Sequence, residues 1–160
     1  LVGELRKPEA MQIRLGNKQD EPMVRELLMT VMHEVKLEKY FEQARPPLMN
    51  MEREYIGNDG TYLVAEDDRK IVGVAAAKKK TDTLCELALL CVTTDWRRMG
   101  LGKQMLTKIV SFARSMDYDA LQVDAAVVGT EAAGFLMHSG FKLVDADDNS
   151  EKRFWRIAFR

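Results

Sequence analysis

Apolar positions recur along this chain in two rhythms. Val24, Leu27, Leu28, Val31, Met32 and Val35 fall at the i, i+3, i+4, i+7 spacing of a helix buried on one side, with Asn17 or Asp20 as its cap. A second stripe, Leu101, Met105, Leu106, Ile109, Phe112, Ala113 and Met116, predicts another helix lying against a sheet. Strands are predicted over 11–15, 61–65, 71–77, 84–92, 120–123, 141–144 and 154–159, with the polar link 66–70 as a hairpin turn. Segment 37–56 is partly amphipathic and split by Pro46-Pro47, and Gly57-Asn58-Asp59-Gly60 makes a turn after it. Thr130 is the expected cap of a short helix ending near Ser139-Gly140-Phe141. The methionines Met23, Met29, Met32, Met49 and Met51 read as core filler rather than as an adaptable pocket.

Between the strand at 84–92 and the second helix stands Arg97-Arg98-Met99-Gly100-Leu101-Gly102. Two glycines one residue apart let the backbone turn tightly and expose bare N–H groups, and the following helix adds its partially positive end, so the stretch suits a pyrophosphate. A Walker loop would need Gly where Arg97 stands and Ser or Thr where Gln104 stands. The dinucleotide fingerprint would need a third Gly at Met105 and a position after the first strand.

The stretch resembles the acyl-CoA-binding loop of the GNAT family of N-acetyltransferases, whose signature is Gln/Arg-x-x-Gly-x-Gly/Ala. Arg97, Gly100 and Gly102 fill its three defined positions, and the order of elements agrees from Thr61 to Phe159, including the closing Gly140-Phe141. The resemblance implies an α/β fold with a mixed, mostly antiparallel central sheet of about six or seven strands flanked by helices. It also implies acetyl-CoA as cosubstrate. The backbone N–H groups of Arg98, Met99, Gly100, Leu101, Gly102 and Lys103 would bind the pyrophosphate, with charge added by Arg97 and Arg98. Leu90, Cys91 and Val92 would pair with the pantetheine arm like an added strand. A strand-helix-strand unit returns in the same direction, so strands 84–92 and 120–123 should run parallel, and they should splay apart to admit that arm.

Glu86 is a carboxylate inside the apolar run 84–90, expensive to bury unless paired or used. It lies fourteen residues before Gly100, the spacing at which the histone-acetylating branch of the family carries its general base. A strand carboxylate paired with Lys78, Lys79 or Lys80 is the competing reading. Leu136 occupies the position of the family's usual Tyr acid, and Gly129 that of a common Asn. Tyr118, Ser139 or water are the substitutes for that acid. Cys91 reads as a small core residue rather than a nucleophile, and His138 as a surface or capping residue. The acidic link with Asp145, Asp147, Asp148 and Glu151 reads as a solvated loop, with steering of a cationic acceptor as the alternative.

At 160 residues, 46% hydrophobic and 31% charged, the chain is expected to form one domain over 1–160, with residues before about Met11 an added or truncated start. A formal net charge of -1 leaves no broad footprint for nucleic acid or a membrane surface, and no apolar run approaches the ~20 residues of a membrane span. The chain therefore reads as cytoplasmic. Cys85 and Cys91 share one strand, out of disulfide reach, and His33 and His138 have no metal-ligand spacing, so no metal is expected. The expected activity is direct transfer of acetyl from acetyl-CoA to a primary amine of a small molecule or peptide, without an acyl-enzyme. A homodimer through the final strands follows family habit. A catalytically weak CoA-binding or regulatory module is the rival, and a nucleotide-binding scaffold unrelated to CoA is the third reading.

Overall fold

Asp68 and Arg69 both adopt positive φ, 48° and 65°, the two-residue turn whose twist matches that of the strands it joins. In the computed structural model, which describes residues 11–34, 50–146, 148 and 150–160, this turn joins two neighbouring strands of a seven-stranded sheet. The strands are β1 (Gln12–Leu15), β2 (Thr61–Asp67), β3 (Lys70–Lys79), β4 (Leu84–Val92), β5 (Ala120–Asp124), β6 (Lys142–Asp145) and β7 (Arg153–Ala158). Their spatial order is β1-β2-β3-β4-β5-β7-β6. Every pair is antiparallel except β4 with β5. The expected mixed, mostly antiparallel sheet is thus present.

Helices α1 (Glu21–Glu34), α2 (Met51–Tyr55), α3 (Leu101–Ser115) and α4 (Thr130–His138) divide between the two faces. Alternation along β2 to β4 sends Leu63, Ala65, Ala75, Ala77, Cys85 and Leu87 toward α3, whose Leu101, Met105, Leu106, Ile109 and Ala113 are buried against them. The intervening Tyr62, Val64, Val74 and Ala76 meet Val24, Leu27, Leu28 and Val31 of α1 and Met51 and Tyr55 of α2. Two polar anchors hold α1. Arg14 forks onto Asp20 at 2.8 and 2.9 Å, and the buried Glu21 carboxylate accepts the backbone N–H of Met51.

Some expectations shift. The strands β2 and β3 run through the polar link at 66–70, because ladder hydrogen bonds are indifferent to side-chain polarity, and only Asp68 and Arg69 turn. Asn17 caps a short 3-10 turn, Lys18–Asp20, in a reciprocal box with Asp20, and α1 follows directly. Gly129, not Thr130, is the N-cap of α4, and no side chain bonds there. Met23 and Met29 lie on the exposed side of α1, at 40% and 53% exposure, so they are not core filler. Met51 is fully buried and Met32 packs beside it, whereas Met49, Pro46-Pro47 and most of the 37–56 segment lie outside the described residues.

A Cβ on Gly60 would lie 2.0 Å from the Ala77 carbonyl oxygen and 2.7 Å from Lys78 Cα, both backbone atoms. Gly60→Ala is therefore expected to cost about 1–3 kcal/mol in urea unfolding. Gly134→Ala, in open space inside α4, should gain about 0.5–1 kcal/mol in the same assay. The Arg14 guanidinium, assisted by the Asn17 backbone N–H and opposed by burial, holds the Asp20 carboxyl below the usual carboxylate range. A group whose folded pKa is depressed stabilises the fold above its unfolded value and loses that contribution as pH falls through it. Asp20→Asn should thus cost about 1.5–3 kcal/mol at neutral pH. The difference from the parent protein should shrink on going below about pH 4.

Candidate functional site

The parallel contact between β4 and β5 is short. Leu84 pairs with Ala120, Cys85 with Leu121 and Glu86 with Gln122, and there the pairing stops. β4 continues to Val92 along β3, while β5 continues to Asp124 along β7. Ala88 supplies the cause, as the extra residue of a bulge between the Ala76–Leu89 and Ala77–Leu87 pairs, and a bulge bends its strand. The β5-facing edge of β4 from Leu87 to Val92 is left without a strand partner, forming one wall of a wedge. Its residues Ala88, Leu89, Leu90 and Cys91 are half-buried.

The chain leaves this wedge through a 3-10 turn, Thr94–Met99, that is pinned at several points. The Thr93 N–H donates to the Val72 carbonyl at 2.9 Å, and Trp96 is sunk in the core at 1% exposure. The Arg97 Nε donates to the Val92 carbonyl at 3.2 Å, and its Nη2 pairs with Glu34 of α1 at 3.0 Å. Arg97 is thus engaged in bracing the turn. Gly100 follows with φ of 77°, in the left-handed region where a side chain is strained, and α3 starts at Leu101. No side chain caps α3, and its first turn holds no acidic residue. The first N–H groups of a helix have no acceptor within it, so Leu101, Gly102 and Lys103 present backbone donors and a positive helix end at the mouth of the wedge.

The other predicted residue, Glu86, stands at the closed end of the wedge. Lys78 pairs with it in register, and Lys78 is tied to Glu54 of α2 at 3.4 Å, so Glu86 faces the α1/α2 side. Its carboxylate lies 3.7 Å from Lys80 Nζ, so the pairing with one of the three lysines exists beside any other use. Burial, then the charges of Glu54 and Glu86, pushes the neighbouring Tyr55 phenol above its ordinary value. Beside Glu86 the buried Gln122 accepts two hydrogen bonds through Oε1, from Arg156 Nε at 3.0 Å and Nη2 at 2.7 Å. Sequence reasoning missed Gln122 and Arg156. Both are polar residues within apolar strands, the signal that singled out Glu86.

The candidates for an acid fare differently. Leu136 is packed in the core at 4% exposure. The Tyr118 hydroxyl donates to the Asp59 carbonyl at 2.9 Å, and Ser139 Oγ donates to the Phe135 carbonyl at 2.8 Å, so both are engaged with backbone. Burial pushes the Cys91 thiol up to about 11 against the pull of Arg97, which suits a packing residue and not a nucleophile. His138 is exposed at the end of α4, and Asp145, Asp148 and Glu151 are exposed; Asp147 lies outside the described residues. Among the described residues no three His, Cys, Asp or Glu side chains gather as a metal site requires, and no helix is long and apolar enough to cross a membrane. An open depression of about 310 Å³ beside α1, lined by Met23, Thr30, Glu34, Lys70 and Thr94, includes neither Glu86 nor the loop glycines.

Comparison with known proteins gives the same architecture. A GNAT-family acetyltransferase structure from Staphylococcus aureus superposes with a TM-score of 0.84 at 18% identity, covering 94% of this chain and all of that one. The PaiA N-acetyltransferase of Thermoplasma acidophilum, solved with coenzyme A, superposes with a TM-score of 0.73 at 17% identity over 93% of this chain and 99% of its own. Among curated proteins, "Probable N-acetyltransferase camello" of Xenopus laevis is 34% identical over 100 residues, which is 57% of this chain and 46% of that protein. The chain spans about half the length of the curated relatives it matches. The family model described as "Acetyltransferase (GNAT) family" matches residues 22–141, and the chain belongs to the GNAT acetyltransferase family.

Proposed function

We propose that this chain transfers an acetyl group from acetyl-CoA directly to a primary amine. One observation carries the reading: β4 and β5 part immediately after the Glu86–Gln122 pair, beside a helix start that has neither cap nor acid. An anionic diphosphate suits the backbone N–H groups of residues 98–103, and Lys103 adds an exposed cation there. An extended amide-bearing arm suits the edge at Leu90, Cys91 and Val92, which has no strand partner on the β5 side, as an added strand would. The residues present therefore fit the cosubstrate. The amine acceptor belongs to a small molecule or peptide, and the reading needs no metal. Neither nucleic acid nor a membrane is invoked as a partner.

The thioester carbonyl would lie near the narrow end of the wedge, close to Glu86. There the amine nitrogen attacks the carbonyl carbon, its proton passes to the Glu86 carboxylate directly or through water, and the C–S bond breaks as the thiolate leaves. The thiolate takes its proton from water, because Tyr118 and Ser139 already donate to backbone carbonyls. Cys91 has no covalent role with a thiol held at about 11. A second reading, a CoA-binding module with weak or no turnover, is favoured by Leu136 in the core where the family carries its usual Tyr. It predicts binding without chemistry.

Calorimetry should register acetyl-CoA and CoA, but not ATP, and Gly100→Ala should weaken both while straining the left-handed turn by about 1–2 kcal/mol. Binding of ATP in place of acetyl-CoA would contradict the reading. Free-thiol release from acetyl-CoA in the presence of an accepted amine separates enzyme from module. Glu86→Gln should then lower kcat by roughly 10²–10⁴-fold at neutral pH. The loss should narrow at alkaline pH, where the amine is already neutral. Full activity of this variant at every pH would remove Glu86 from the chemistry.

A further inference from the structure

On the face that carries Glu86, five strands align one polar residue each. Lys78 of β3 pairs with Glu86 of β4, Glu86 with Gln122 of β5, Gln122 with Arg156 of β7, and Arg156 with Lys142 of β6. At the middle of this row Gln122 is only 4% exposed, yet it lies between an anion and a cation that do not pair with each other. Glu86 pairs with Lys80 instead, and Arg156 bonds the neutral Gln122.

Arginine has no acceptor atom, so the two bonds from Arg156 fix the Gln122 amide with its oxygen toward the guanidinium. Among the described residues Gln122 Nε2 and Arg156 Nη1 donate no hydrogen bond, and no carboxylate pairs with Arg156. The cluster is made of donors and carries one positive charge. A half-buried guanidinium without an anion is a site for a carboxylate, which a planar fork can take with two bonds. Adjacent strands lie ~4.8 Å apart, so Glu86 and Arg156 stand about 10 Å apart along the row. Both side chains are long enough to bracket an ammonium and a carboxylate borne on one small molecule.

We propose that the acceptor is an amino acid, its amine delivered to Glu86 and its carboxylate held by Arg156 and Gln122. This rests on the acetyl-transfer reading above and narrows its acceptor to amines with a free carboxylate, against peptides and simple amines. The two charges flanking buried Gln122 then have a zwitterion as their common ligand.

The test measures thiol release with the twenty α-amino acids and their α-amides. For at least one amino acid, kcat/KM should exceed that of its amide by about tenfold or more. Arg156→Gln should lower kcat/KM for that amino acid about 10–100-fold, chiefly through KM, while acetyl-CoA affinity stays within about twofold. The loss should be at least about tenfold greater for the acid than for the amide, and Arg156→Lys should restore part of it. Amides turned over as well as their acids, or an Arg156→Gln variant that keeps the preference for acids, would overturn the proposal and leave acetyl transfer standing. If Arg156→Gln fails to fold, the acid-to-amide ratio of the unaltered protein decides alone. Release with no amine at all, while acetyl-CoA still binds, would overturn both.

Discussion

The parting of two parallel strands is the constraint on which the site depends. A parallel pair is stable only while its slanted hydrogen bonds continue, and here three residue pairs are followed by a bulge that bends β4 away. The consequence is backbone polar groups left open on an interior strand. Such groups are costly when buried and unpaired, and this stretch inside a seven-stranded sheet is the one that the proposed function assigns to the cosubstrate's extended arm. The half-burial of Ala88 to Cys91, between fully packed residues of β3 and the far side of the wedge, is the same fact seen from the side chains.

The loop beyond β4 is rigid for reasons of its own. Trp96 anchors it in the core, Thr93 bonds back to Val72, and Arg97 links it to Val92 and to Glu34 on the opposite side of the sheet. This bracing holds the start of α3 against the end of β4 without any capping side chain or acidic residue in the first turn. Arg97 thereby positions the turn that leads into α3. The start of α3 lies at the mouth of the wedge and Glu86 at its closed end, on the face that carries Tyr55, Lys78 and Gln122.

Much of this was legible in the residues themselves. The stripes of α1 and α3 and the limits of β4 follow from periodicity, and Gly100 marks the turn because it takes a conformation that glycine adopts readily. The parallel return from β4 to β5 follows from connectivity. The hairpin turn is shorter than the polar run 66–70 suggests because backbone ladders do not read side-chain polarity, and Met23 and Met29 lie on the exposed side because methionine marks no face by itself. The partnership of Gln122 and Arg156 was invisible, since it joins residues thirty-four positions apart across a register that only the folded sheet defines. The same is true of the bulge at Ala88, which nothing in the apolar run 84–92 announces.

A crystal structure with acetyl-CoA tests the central claim most directly. The account predicts the diphosphate within hydrogen-bond distance of backbone N–H groups between Arg98 and Lys103, with the pantetheine arm paired to the free edge of β4 beside Leu90 to Val92. A diphosphate bound away from the start of α3, or an arm that runs outside the gap between β4 and β5, would contradict it.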